Sequence, residues 1–130
     1  MKSNRDEALR LFQQVRKAEI FGKAEFTQCP YCRGVVHRSE AVAVHYIPRG
    51  KRATEVEPEN VWAGHAWCNS LDQQESGQGK AHEAYRSWLI DKIGEWKVLW
   101  LENRSKVTVK HGRFFYDELI KDCKNKLKNF

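Results

Sequence analysis

No stretch of this chain approaches the roughly 18 consecutive apolar residues that a membrane span needs, and no segment repeats or falls into low complexity. The first absence argues against a membrane-spanning helix, the second against a solenoid. Residues 1–6 run into a charged helical pattern rather than the apolar core of a secretory signal, so the expectation is a cytoplasmic protein. Acidic residues are in deficit: 17 Asp and Glu stand against 23 Lys and Arg, for a net charge of +6. That balance suits a polyanionic partner, of which nucleic acid is the commonest. Cysteine is also scarce, with 4 in 130 residues. In a reducing compartment, three of them at metal-binding spacing point to a bound ion rather than to disulfides.

What is present divides the chain in three. Residues 5–21 carry Ala8, Leu11, Phe12, Val15 and Ala18 at helical spacing. Ser3 or Asn4 suits the cap, Asp6 and Glu7 the first turn, and Gly22 the stop. Residues 26–80 hold three cysteines, three histidines and short apolar runs. There, residues 41–47 (AVAVHYI) predict a strand, with 35–38 as its hairpin partner, and a helix is expected to begin near His65 or Cys68. Residues 81–101 return to a helical pattern broken at Gly94, residues 106–110 read as a strand or extended linker, and 117–128 as a closing amphipathic helix. Cys123 falls on the apolar face of that last helix, a structural position. The five tryptophans are expected in the core. The corresponding units are 1–25, 26–80 and 81–130.

The most specific signal is a pair of metal knuckles. Cys29-x2-Cys32 presents two thiolates to one ion, and His65-x2-Cys68 has the same reach. Together they make a Cys3His set, an ordinary composition for structural zinc. A redox pair normally opens a helix in a βαβ setting, which this sequence lacks. Four protein ligands leave no open position, so such a zinc would hold the fold rather than do chemistry.

Between the knuckles stand His45 on the predicted strand, then Asn60, and Asn69 directly after Cys68. In this arrangement the chain resembles the HNH nucleases. More narrowly, His45-Tyr46-Ile47-Pro48-Arg49-Gly50, Pro58-Glu59-Asn60-Val61, Trp67-Cys68-Asn69 and Tyr85-Arg86-x-x-Leu89-Ile90-x-x-Ile93-Gly94 are similar to the NinG/Rap family of phage recombination nucleases. Asp117-Glu118-Leu119-Ile120 followed by Lys126-Leu127-Lys128 extends the likeness to the last helix. The resemblance implies a small α+β fold, a zinc-clamped ββα-metal (HNH) core with flanking N- and C-terminal helices. It implies a structure-selective endonuclease, phage- or prophage-encoded, that acts on branched DNA such as Holliday junctions and D-loops.

In that reading His45 is the general base, Asn60 orients its loop, and Asn69 and Asp72 hold a catalytic Mg²⁺ or Mn²⁺. Arg49, Lys51 and Arg52 contact phosphate. A neutral imidazole can take a proton from water near pH 7, and a divalent ion can neutralise charge on phosphate and leaving oxygen. One departure stands out. Many HNH proteins place an acidic metal ligand immediately before the base, and some NinG-like sequences three residues before it; here those positions are Val44 and Val42. Asp72 or Glu75 is the expected replacement, with Glu40 and His37 weaker choices. The alternative function is a catalytically weakened HNH module that binds branched DNA or a partner protein without cutting. Cutting two opposed strands suggests a homodimer, with the helices at 5–21 and 117–128 as one choice of interface.

Overall fold

A computed structural model describes residues 4–130. The chain is a small α+β protein with five α-helices and two two-stranded sheets among the described residues. Helix α1, Asn4–Phe21, buries Ala8, Leu11, Phe12, Val15, Ala18 and Phe21 on one stripe, and Asp6 and Glu7 in its first turn complement the helix dipole. It ends at Gly22, whose φ of +56° is a left-handed stop. Asn4 is the first helical residue described, and the alternative cap, Ser3, lies outside the described residues.

Strand β1, Phe26–Gln28, pairs antiparallel with β2, Val35–His37. Strand β3, Val42–His45, pairs antiparallel with β4, Val61–Gly64. This corrects the expected hairpin of 35–38 with 41–47. The reason is local: the Cys29–Gly34 turn, closed by Cys29 N–H donating to Gly34 O at 2.8 Å, folds β2 back onto β1. Strand β3 is left to find its partner beyond a long loop. That loop is clamped by Asn60, which is fully buried. Its Oδ1 accepts from Ile47 N–H at 2.7 Å, and its Nδ2 donates to Ile47 O at 3.1 Å and Thr54 O at 3.2 Å.

After β4 come α2, Ala66–Gln74, α3, Lys80–Ile93, and α4, Glu95–Arg104. Gly94, at φ +91°, separates the last two as the sequence suggests. Helix α5 is Arg113–Leu127, four residues longer at its start than the periodicity indicates. Those residues are held by aromatic contacts: His111 stacks on Phe115 at 3.8 Å, and Tyr116 is buried, its hydroxyl donating to Glu55. Residues 106–110 form no strand. No described helix is long and apolar enough to cross a membrane.

Two main cores position everything else. One joins Cys29 and Tyr31 to Val44, Tyr46, Tyr85, Trp88, Leu89, Val98 and Leu101, and so ties the first knuckle and β3 to α3 and α4. Tyr85 hydroxyl donates to Val44 O at 2.9 Å within it. The other joins Leu11, Phe12 and Val15 of α1 to Val61 and to Cys123 of α5. The tryptophans depart from expectation. Trp88 is buried, whereas Trp67 is 63% and Trp96 81% exposed.

Cys123 is 3% exposed, and burial pushes its thiol pKa up, which keeps it protonated and inert. Replacing it with Ala removes a packed atom from the α1–α5 seam. The expected cost is about 1–2 kcal/mol in urea unfolding, with the metal content of the purified protein unchanged. A loss of metal in Cys123→Ala would contradict this packing role.

Candidate metal centre and adjoining cleft

The ligand atoms of Cys29, Cys32, His65 and Cys68 all lie within 4.8 Å of one another. The first pair sits in the β1–β2 turn. His65 is the N-cap position of α2, and Cys68 is in its first turn. The turn is shaped for sulfur. Arg33 adopts a left-handed φ of 61°, and Gly34 N–H points at Cys32 Sγ at 3.4 Å. At Gly64 a Cβ would stand 3.1 Å from Cys29 Sγ and 3.2 Å from Pro30 Cδ, tighter than an ordinary contact, so glycine suits the close passage of β4.

His65 presents Nδ1 to Cys32 Sγ at 3.3 Å and to Cys68 Sγ at 3.9 Å, while its Nε2–H donates to Val35 O at 3.0 Å. That second bond fixes the tautomer and leaves Nδ1 as the ligand. Burial opposes ionisation of Cys29, but backbone N–H groups of Cys32, His65 and Tyr31 outweigh it and hold the thiol below its usual value. Burial and the neighbouring Cys29 and Cys32 sulfurs push the Cys68 thiol well up, a repulsion that a central cation relieves. These four residues can coordinate one metal ion, and their chemistry is consistent with structural zinc.

Beside the centre lies an open cleft of about 510 Å³, lined by His45, Arg49, Asn69, Asp72, Ser76, Gly77 and His82 among others. His45 closes β3. Its Nε2 is buried without a hydrogen-bond partner, and burial, reinforced by the Arg49 guanidinium, pushes its pKa down to about 4. It is therefore neutral at physiological pH and has a free nitrogen. Asp72, in α2, is 7% exposed. Its Oδ2 accepts from Tyr31 hydroxyl at 2.7 Å, and its Oδ1 is buried without a partner. Tyr31 lies between the two cysteines of the first knuckle, so the metal centre itself orients this carboxylate.

The expected site residues separate into two groups. His45, Arg49, Asn69 and Asp72 line one cleft. Asn60 is not among the cleft-lining residues; its amide acts on the loop backbone, so it is a positioning residue. Lys51 and Arg52 do not line the cleft; Arg52 pairs with the buried carboxylate of Glu55 at 3.6 Å. The other acidic choices also fall elsewhere. Glu75 caps α3, its Oε1 accepting from Ala81 N–H at 3.2 Å, and Glu40 is exposed outside the cleft lining. His37 bonds to Ser39 on the other sheet.

One cleft residue escaped the sequence reading. His82, near the start of α3, lies flat on Tyr46 with ring centroids 4.7 Å apart and 9° between planes. Its Nδ1 is buried, has no hydrogen-bond partner, and stands 3.9 Å from Asp72 Oδ1. The available signal was its position: His82 directly follows Ala81 and lies three residues before Tyr85, both on the buried face of α3. No family model, no curated protein and no solved structure matches the chain.

Two outcomes follow from this geometry. Elemental analysis is expected to find one equivalent of zinc, and Cys29→Ser to lose it with most of the cooperative unfolding transition. Retention of a full equivalent in that variant would remove Cys29 from the ligand set. In a proton NMR titration, the His45 ring is expected to stay neutral down to about pH 4, well below an ordinary histidine. The folded pKa lies below the unfolded one, so folding favours the neutral ring. This contribution is complete above the unfolded value near 6.5 and is lost as pH falls towards 4. A His45 midpoint near 6.5 would contradict the burial.

Proposed function

We propose that this chain is a metal-dependent endonuclease of the HNH (ββα-metal) kind, similar to the NinG/Rap phage recombination nucleases. Its substrate would be branched DNA, such as four-way junctions and D-loops, in the cytoplasm of a phage-infected or lysogenic cell. One observation carries the reading: a neutral histidine, a carboxylate and a guanidinium share a cleft, next to a Cys3His centre assigned as structural zinc. The quoted motifs and the net charge of +6 support it.

The donor set fits a divalent cation. Asp72 Oδ1 is a buried, unpartnered carboxylate oxygen, and Asn69 adds an amide on the same helix. Mg²⁺ or Mn²⁺ held there would neutralise charge on the phosphate and on the leaving 3′ oxygen. The chain's own residues do the rest. His45 Nε2 accepts the proton of an attacking water, because its ring is neutral at working pH. Arg49 meets a non-bridging phosphate oxygen. Asn60 holds the loop that carries Arg49 and fixes the backbone just after His45. Tyr31 keeps Asp72 turned towards the cleft. Two opposed strands call for two such sites, and so for a pair of copies. Because α1 and α5 bury their apolar faces against each other, a dimer would use another surface.

The absence of carboxylates at Val42 and Val44 favours a second reading, a module that binds branched DNA without cutting it. A synthetic four-way junction incubated with Mg²⁺ or Mn²⁺ separates the two. The nuclease reading expects nicking by the wild type and a loss of about 10²–10⁴-fold in His45→Ala. Binding that weakens steeply with salt and gives no nick with either ion would favour the second reading. Equal cleavage by both proteins would remove His45 as the base.

A further inference from the structure

We propose that His82 and Asp72 together hold the divalent ion of the cleft, so that α3 supplies the ligand that β3 lacks at Val42 and Val44. The inference rests on the cleft being the working site described above, and it goes further by adding a ligand and a metal preference.

The geometry starts from two buried, unpartnered atoms that face each other. Asp72 Oδ1 and His82 Nδ1 are 3.9 Å apart, within ion-pair range only for a protonated ring and too far for a direct hydrogen bond. Two ligands at roughly 2.1 Å from one ion can stand up to about 4.2 Å apart, so one ion reaches both. Leaving two polar atoms buried and unpaired costs stability, and a shared cation removes that cost. Each group is also held from behind. Tyr31 hydroxyl takes the other oxygen of Asp72 at 2.7 Å. Tyr46 stacks parallel to the His82 ring, and its hydroxyl is in turn bonded to Glu102, which Arg86 pairs with at 2.8 Å. Two aromatic side chains thus preset the carboxylate and the imidazole before any ion arrives.

The turn between α2 and α3 has the shape this needs. Ser76 and Gly77 both adopt left-handed φ values, 57° and 67°, and bring the start of α3 back alongside α2. A Cβ at Gly79 would lie 2.5 Å from the Glu75 carboxylate, so glycine here lets that carboxylate stay on the Ala81 N–H at the start of α3.

An imidazole ligand changes the choice of ion. Mg²⁺ favours oxygen ligands, whereas Mn²⁺ and the later divalent ions accept nitrogen. The cleft should therefore take Mn²⁺ in preference to Mg²⁺.

The test is Mn²⁺ binding to the zinc-loaded full chain without DNA, read from the free-ion electron paramagnetic resonance signal, with Mg²⁺ as competitor. The wild type is expected to bind one Mn²⁺ at least tenfold more tightly than Mg²⁺. His82→Phe keeps the ring on Tyr46 but removes the nitrogen; it is expected to weaken Mn²⁺ binding tenfold or more and to erase the preference over Mg²⁺. His82→Leu repeats the measurement if the phenylalanine does not fold, and Asp72→Asn is expected to weaken both ions. Unchanged Mn²⁺ affinity in a folded His82 variant would overturn the proposal, as would no binding by the wild type. Junction cleavage that persists in His82→Phe with its ion preference intact would sink the ligand role and leave the nuclease reading standing. The expected Mn²⁺ binding with no cleavage would do the reverse.

Discussion

The geometry of this protein depends on four side chains being drawn to one point. Cys29 and Cys32 come from a turn between two short strands, and His65 and Cys68 from the first turn of α2. Each of these segments is weak alone. The sheets have two strands each and run for three or four residues, less than an isolated sheet needs to stand in water. A small core gains from a cross-link, and a four-coordinate ion held by these residues would supply one between parts of the chain that no long strand connects. The fit of Gly64 against Cys29 Sγ and the bond from His65 to Val35 O show that the surrounding backbone is shaped around this point.

The same constraint reaches the cleft. Tyr31 is part of the first knuckle, and its hydroxyl holds Asp72. Tyr85 packs against Tyr31 edge-on at 5.1 Å and donates to the backbone of β3 just before His45. Both hydroxyls are pushed up by burial, so both remain protonated donors. The carboxylate and the strand histidine therefore refer to one aromatic frame anchored on the metal centre. On the other flank, the fully buried Glu55 receives Arg5 of α1 at 2.7 Å and the Tyr116 hydroxyl of α5. Arg5 also donates to Arg49 O at 3.2 Å. The loop that carries Arg49 is fixed from both terminal helices, which gives α1 and α5 a role in the site although neither supplies its reactive groups.

Local spacing explains what could be read from the chain. The knuckles were legible because ligands three apart on a turn or on a first helical turn must face the same ion, whatever the rest of the fold does. The breaks at Gly22 and Gly94 were legible for the same local reason. Strand pairing was not. Nothing in residues 35–38 or 41–47 says which of two β-rich partners each will choose, and the choice is made by the turn at 29–34 and by Asn60 across the long loop. His82 was hidden for a related reason. Its partner Asp72 lies ten positions away on another helix, and only the reversal at Ser76 and Gly77 brings them together. The exposed Trp67 and Trp96 show the limit of residue type as a guide to burial, since a short amphipathic helix has fewer inward positions than this chain has large apolar side chains.

The missing strand carboxylates then take on a different meaning. A carboxylate at position 44 could not have been accommodated, because Val44 is fully buried in the main core and its carbonyl is tied to Tyr85. A charge there would be desolvated and unpaired. Val42 likewise packs against that core. The strand in this chain is committed to packing, and the groups able to bind an ion lie on the helices that face it. On that proposal, a ligand carried by a helix keeps its aim through a neighbouring side chain. Tyr31 bonds to Asp72 and Tyr46 stacks on His82, and each would give that aim. On the proposed function, the zinc-type centre does more than hold the fold: through Tyr31 it aims Asp72, the buried carboxylate among the described residues that line the cleft.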